Sequence, residues 1–335
     1  MDSIVNNCNR FTDSEIENIC KEYLENKNTC LLVNKYKITK IQEKEICRLY
    51  LEDKLSTWKI APLFNVLNVC ILKVLKRNNI ILRKRTDAAK IYSVNRKFFE
   101  TVDTPEKAYI LGLCYSDGNV YKDSFTLYFQ EQDKYILEEI SKLIEFNGPL
   151  GFRPQKSIWS KISNKIINVK AGYALRIHDR EFVSNLKNQG IIERKTSKLS
   201  FPYFLDKSLW PSFILGELDG DGCICIEKKS IRVNIAGSIY FTSDIKNISE
   251  KFFNIYCRQQ LYLKSKGTTV NFSGRNAIKF LNILYKNPPK FFFKRKYLRY
   301  KNFITDNIKR ENIDNDYRSI MNESYYNIIP NIKYV

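Results

Sequence analysis

Apolar positions recur along this chain with two periods, about 3.6 and 2, and their alternation separates a helical N-terminal part from two stretches that repeat one order of elements. The spacing predicts a first helix from Thr12, whose hydroxyl caps it while Glu15 reaches back, with Ile16, Ile19, Cys20, Tyr23 and Leu24 as its stripe. From Ile41 to Leu82 it predicts three short helices: one with Glu45, Ile46, Leu49 and Tyr50, one over 57–64, and one over 69–77. An apolar helix ending near residue 118 is followed by strand patterns at 119–122 and 125–129, a helix over 133–145 capped by Asp133, strands near 150–153, 159–162 and 171–177, and a helix over 179–189. A second apolar helix ending near residue 222 is followed by strands at 223–227 and 232–241, a helix over 244–257, strands at 260–264 and 268–272, and a helix over 274–285. The order is αββαββα, twice, which places the chain in the α+β class after a small all-α part.

The two apolar helices share more than hydropathy. Ile110-Leu111-Gly112-Leu113-Cys114-Tyr115-Ser116-Asp117-Gly118 and Ile214-Leu215-Gly216-Glu217-Leu218-Asp219-Gly220-Asp221-Gly222 both run from apolar residues through a glycine to a small residue, an aspartate and a closing glycine. On a helix, Gly112 with Ser116 and Gly216 with Gly220 lie four apart on one face, which lets the two helices approach to backbone contact. Each aspartate then falls in a last turn, where the helix dipole is negative, with a glycine expected in the left-handed cap position. Side by side, the helices bring Asp117 and Asp221 together, and two carboxylates hold a hard divalent ion, magnesium or manganese. A single Asp-Gly pair marks a turn; its duplication marks a site. A calcium loop at Asp219-Gly220-Asp221-Gly222 is excluded, because Cys223 takes a ligand position and the loop glycine is misplaced.

With these motifs the chain resembles the LAGLIDADG homing endonucleases, in the form where one chain carries both motifs. The resemblance implies a pseudo-twofold duplicated αββαββα saddle over DNA, with the motif helices at its centre. It also implies that Asp117 and Asp221 coordinate catalytic metals and that the duplex is cut on both strands across the minor groove. Two positions depart from the family pattern: Tyr115 replaces an earlier acidic residue, and Glu217 stands where an apolar residue is usual. The glutamate puts a charge at a normally dry seam, so the second helix is expected to be rotated or the glutamate to reach the rim. Lys195, 78 residues beyond Asp117, and Lys296, 75 beyond Asp221, resemble the family's active-site lysine, one per half. Each would stabilise the negative transition state or order the attacking water, with a phosphate contact as the alternative. Gln132 and Ser243, each just before an aspartate, are expected to orient water near the metals.

Composition supports a polyanionic partner. Lys and Arg number 56 against 36 Asp and Glu, a net charge of +20, and each cation set on a phosphate releases counterions. No apolar run reaches spanning length and no signal peptide opens the chain, so a soluble intracellular protein without membrane contact is expected. Nine cysteines, odd in number and without a C-x-x-C pair, read as reduced core residues. The single histidine, His178, excludes nucleases built on several histidines and reads as structural. The chain lacks the terminal residues of an intein and is expected to be a freestanding, monomeric enzyme.

The triplet over 41–82 resembles a helix-turn-helix domain, with Ala61 where helices cross, Asn65 at the turn and Val66 beneath it. Ile71, Leu72 and Leu75 are then expected in the core, and Asn68, Lys73, Lys76 and Arg77 toward the DNA groove; a plain three-helix bundle with a basic face is the alternative. Pro62 interrupts the middle helix. Arg83, Lys84 and Arg85 open a basic linker that tracks the DNA backbone. On the strands, Tyr128, Gln130, Arg176, Arg232, Asn234, Tyr240, Lys264 and Asn271 are candidate DNA readers, the period of two leaving the face open. The expected division is residues 1–95, 96–205, 206–301 and a C-terminal helix or tail over 302–335. The expected function is site-specific double-strand cleavage of DNA at a long asymmetric site. The alternatives are a maturase that binds intron RNA, or a DNA-binding regulator that does not cut.

Overall fold

The computed structural model describes residues 38–83, 91–160, 164–193, 195, 198–262, 267–309 and 314–332. The helix expected from Thr12 and the residues Lys84, Arg85 and Lys264 lie outside them. The chain forms two compact units, residues 1–91 and 92–335.

The first unit is a bundle of three helices, α1 (Lys40–Leu51), α2 (Thr57–Leu63) and α3 (Asn68–Arg77). A reciprocal cap starts α1: Thr39 Oγ1 accepts from the Gln42 amide and Gln42 Oε1 accepts from the Thr39 amide. Helices α2 and α3 meet at 106°, with Asn65 in the left-handed region at φ 51° making the turn. Ile46, Leu49, Tyr50, Ile60, Ala61, Ile71, Val74 and Leu75 form the core. Val74 fills the place expected for Leu72, which is only half-buried, because 71, 74 and 75 share one helix face.

In the second unit each repeat opens with an apolar helix. The first repeat is α4 (Pro105–Ser116), β1 (Asn119–Tyr121), β2 (Ser124–Gln130), α5 (Lys134–Leu143), β3 (Gly151–Arg153), β4 (Lys156–Ser160), β5 (Lys165–Val169), β6 (Gly172–His178) and α6 (Arg180–Asn188). The second is α7 (Trp210–Asp221), β7 (Gly222–Glu227), β8 (Ser230–Gly237), α8 (Ile239–Lys251), β9 (Arg258–Tyr262), β10 (Gly267–Ser273) and α9 (Arg275–Lys286). Two antiparallel sheets result, β1-β2-β6-β3 and β7-β8-β10-β9. Their registers correspond: Thr126 pairs with Asn119 and Arg176, as Asn234 pairs with Cys223 and Asn271. The fold is therefore a duplicated α+β architecture of two equivalent antiparallel sheets, each entered from a motif helix. The first repeat adds the hairpin β4–β5, whose second strand the sequence pattern did not single out because both of its faces are exposed.

Strand alternation resolves the face that the sequence left open. In β2 and β8 the odd-numbered residues are buried and the even-numbered ones turn outward. Helix α8 begins at residue 239, five residues before the expected start, because Ser238 rather than Asp244 caps it, Ser238 Oγ accepting from the Phe241 amide at 3.1 Å. The strand thus ends at Gly237, and Tyr240 stands exposed on the first turn of a helix, not on a strand.

The C-terminal segment is docked. Helix α10 (Lys294–Asn307) runs through the boundary expected at 301/302, and α11 (Asn315–Asn322) follows it. Asn282 of α9 accepts from Tyr300 and, at 2.6 Å, from Ser324, while the Tyr285 and Tyr300 rings stack at 5.6 Å. Segment 92–95 belongs to the second unit, tied by Ser93 N to Asn147 Oδ1 at 2.8 Å and by Asn95 N to Ile144 O at 2.8 Å.

Candidate functional site

The site is built where α4 and α7 touch. Gly112 and Gly216 face each other: a Cβ on Gly112 would strike Phe213 O and stand 3.0 Å from Gly216 Cα, and a Cβ on Gly216 would strike Tyr109 O. Only hydrogen at these positions permits the approach. One turn further on, a Cβ on Gly220 would collide with Ser116 Oγ and lie 3.1 Å from Asp117 Oδ2. The Asp117 carboxylate therefore rests over the end of α7, one residue from Asp221. Asp117 caps α4, while Asp221 is the last residue of α7.

The glycines after the aspartates are not left-handed caps. Gly222 has φ −98° and ψ 170°, and the described glycines with positive φ are Gly190 and Gly274. What they permit is a close exit: a Cβ on Gly118 would lie 2.5 Å from Cys114 O, and one on Gly222 2.6 Å from Leu218 O. The chain can thus leave each helix over its own last turn and enter a strand at once.

Both lysines sit beneath the aspartates and are buried. Lys195 Nζ donates to Tyr115 O and, at 2.7 Å, to Ser116 O. Lys296 Nζ donates to Leu218 O at 2.5 Å and to Asp219 O and Gly222 O at 2.6 Å. Each ammonium caps the carbonyl end of one motif helix, where it offsets the dipole and lets a carboxylate stand there. Burial lowers the pKa of both lysines, opposed for Lys195 by Glu217 and for Lys296 by Asp219.

Protein packed behind the two carboxylates removes water from them although their outer edges are exposed. That desolvation, joined by repulsion from Asp221, raises the Asp117 pKa to about 6, against the pull of Lys195, Lys296 and Arg295. Asp221 is also raised, by burial, with Lys195 and Lys296 opposing. Glu217 takes neither expected course. The helix is not rotated, since Gly216 faces Gly112, and the side chain does not reach the rim: it is 3% exposed, with Oε1 lacking a hydrogen bond. Burial pushes its pKa far up, and Lys195 is the cation that opposes the shift. Asp219, wholly buried, accepts from Tyr109 OH at 2.7 Å and the Phe293 amide at 2.8 Å, so it braces α7 against the segment entering α10. Tyr115, the corresponding residue of the first motif, donates to Gln189 O at 2.9 Å and does the same work from the other side.

Sequence patterning did not single out Arg295. Its Nε donates to both oxygens of buried Asp133 at 2.9 and 3.2 Å, its guanidinium lies 4.9 Å from the Phe293 ring centroid, and its charge reaches Asp117. Asp133, expected as a helix cap, makes no side-chain cap bond. Its carboxylate ties the first repeat to the second. An arginine beside a lysine in a basic chain carries no signal until the fold sets a carboxylate opposite it.

The remaining candidates separate. Gln132 donates to Gln130 at 3.3 Å, and Ser243 to Gln259 at 3.3 Å on the second turn of α8. These two stand at different points of their repeats, because α8 starts early. Tyr128, Gln130, Arg176, Arg232, Asn234 and Asn271 all lie on the open faces of the two sheets. Within the N-terminal unit Lys73 and Lys76 are exposed, whereas Arg77 pairs with Glu43 at 3.1 Å and Asn68 encloses its Oδ1. Arg83 is spent on the bundle itself, stacked 4.0 Å over the Tyr50 ring and donating to Lys54 O and Leu55 O. His178 accepts or donates at 2.7 Å with Ser124 on an exposed strand end. Among the described residues no group of three or more His, Cys, Asp or Glu is placed to hold a metal, and no single helix is long and apolar enough to cross a membrane.

No family model matches the sequence, and no curated protein does. Solved structures that the fold matches include LAGLIDADG homing endonucleases and the LAGLIDADG domain of a protein not named as one. The I-LtrWI LAGLIDADG homing endonuclease bound to target DNA is 16% identical, with 70% of this chain and all of that one covered, at a TM-score of 0.42. The homing endonuclease I-WcaI bound to its DNA recognition sequence is 12% identical over 67% of this chain and 97% of that one, at 0.41. The N-terminal LAGLIDADG domain of DUF199/WhiA is 13% identical over 61% of this chain and 94% of that one, at 0.35.

Proposed function

We propose that this chain is a site-specific DNA endonuclease that cuts both strands, with Asp117 and Asp221 as the metal-holding residues. The observation that carries the reading is the pairing of these carboxylates at one end of a glycine-packed seam, each over a helix end capped by a buried lysine. A structural role alone gives no reason to hold two like charges together at the negative ends of two helices.

The donor set fits magnesium or manganese: hard carboxylate oxygens, both raised in pKa by burial and Asp117 also by repulsion from Asp221, in a site without histidine. Two carboxylates leave room for phosphate oxygens and water as the other ligands. When bound, such an ion neutralises phosphate charge and activates water for in-line attack. The chain's own residues do the rest. Lys195 and Lys296 fix the helix ends and hold positive charge beneath the carboxylates. Arg295, fixed by Asp133, adds a third cation on one side. The open strand faces, with Tyr128, Gln130, Arg176, Arg232, Asn234 and Asn271, read bases or contact phosphates of double-stranded DNA, and Lys73 and Lys76 add contacts from the N-terminal unit.

The test is a cleavage selection on randomised duplexes with magnesium, run beside Asp117→Asn and Asp221→Asn. Each variant is expected to bind the selected duplex and to lose double-strand cutting by more than about a hundredfold, the scale of losing one transition-state stabiliser. Undiminished cutting by either variant defeats the reading.

A further inference from the structure

The sequence pattern assigned the cysteines to the core, but two of them lie outside it. Cys223 and Cys225 alternate on β7, so both side chains point from the same open sheet face, Cys223 opposite Asn234 and Cys225 opposite Arg232. Cys223 is exposed, Cys225 is half-buried, and their sulfurs stand 3.2 Å apart. The other described cysteines, Cys47, Cys70, Cys114 and Cys257, are buried or half-buried.

Residues two apart on an extended strand have Cα atoms about 6.4–6.8 Å apart, at the upper edge of what a disulfide spans. Closing the ring therefore asks for a small shortening of β7. The room for it lies on the side away from β8, where the described partners of the strand are the Lys296 and Arg299 side chains on the Gly222 and Ile224 carbonyls and not a second strand.

We infer that Cys223 and Cys225 are a dithiol modification site that closes into an intramolecular disulfide by exchange with a small disulfide such as oxidised glutathione. The Cys223 thiolate attacks one glutathione sulfur; that disulfide breaks and one reduced glutathione leaves. Cys225 then gives its proton to water, its thiolate attacks the Cys223 sulfur, and the second glutathione leaves and takes up a proton. Two protein thiols are oxidised and one glutathione disulfide is reduced to two thiols. Helix α7 ends at Asp221 directly before β7, so closure shortens the strand immediately beyond that carboxylate.

The test incubates the full chain in glutathione redox buffers, blocks remaining thiols by alkylation, and weighs the peptide containing both residues. The wild-type peptide is expected to lose two hydrogens and carry no adduct, and Cys223→Ser and Cys225→Ser are each expected to keep one glutathione. A wild-type peptide with two alkyl groups or two glutathiones, under conditions that modify the serine variants, overturns the inference. A further consequence rests on the nuclease reading: oxidised wild type cuts more slowly, dithiothreitol restores it, and the double serine variant is indifferent. The mass measurement stands without that reading, so the failure of one is distinct from the failure of the other.

Discussion

Lys195 shows how much one side chain can carry. It caps Tyr115 O and Ser116 O, offsets Glu217 in the seam, and places a positive charge beneath Asp117 and Asp221. Lys195→Met leaves two carbonyls uncapped and removes the charge that opposes the rise of the Glu217 pKa, and is expected to cost about 1–3 kcal/mol, the scale of leaving a buried acceptor unpaired. Adding Glu217→Leu is expected to return much of that loss in denaturant melts, since it removes the stranded group. The Asp117 pKa gives a sign that can be checked. Its carboxyl binds protons near pH 6 when folded and near 3.8 in the free side chain. Between those values the native state holds more protons than the unfolded one, so stability falls as pH rises through the window. Asp117→Asn is therefore expected to raise the melting temperature above pH 6 and to change it little below pH 4. On the proposed nuclease reading, cutting is expected to fade as pH drops through about 6, with higher magnesium moving the midpoint down, because cation and proton would compete for one carboxylate.

At the scale of elements, the seam between α4 and α7 decides whether there is a site. Its tolerance is set by backbone, which cannot step aside as a side chain can. Gly216→Ala drives a methyl into Tyr109 O, and we expect a loss of about 3 kcal/mol or more in denaturant melts, together with weakened cutting as the helix ends spread. Gly220→Ala meets Ser116 Oγ, a side-chain atom, so pairing it with Ser116→Gly is expected to restore much of the stability. The motif spacing made this seam readable from sequence, because glycine four residues from a small residue has few other uses in an apolar helix. The start of α8 was not readable. Ser238 and Asp244 are both good caps, and Asp244 is occupied instead by the Phe201 amide at 2.9 Å and the Tyr203 hydroxyl at 3.0 Å, a contact across 41 residues or more.

Across the whole molecule the net charge of +20 sets the ionic behaviour. If six or more cations meet phosphates, affinity for duplex DNA is expected to fall at least about a thousandfold between 50 and 200 mM salt, and filter binding across that range measures it. Removal of residues 1–91, one compact unit, is expected to shorten the protected footprint while the remaining unit keeps its fold, because each unit has its own core. An unchanged footprint would leave Lys73 and Lys76 without a DNA role. The C-terminal segment behaves differently: Ile320, Met321, Ile328 and Ile329 lie in the core of the larger unit, so it is part of the fold.

The sequence alone determined the duplication, the glycine seam and the pair of aspartates, because these follow from local period and from residue types that few conformations accept. It also placed Lys195 and Lys296 in equivalent positions, by their distance from each aspartate. What those lysines hold, that Glu217 lies buried next to one of them, that Asp133 grips Arg295, and that Cys223 and Cys225 face outward were decided only by tertiary structure. These depend on which residues the fold brings together, more than seventy residues apart for the lysines and their carbonyls and for Asp133 and Arg295, or on which face of an element is covered, and a linear pattern fixes neither.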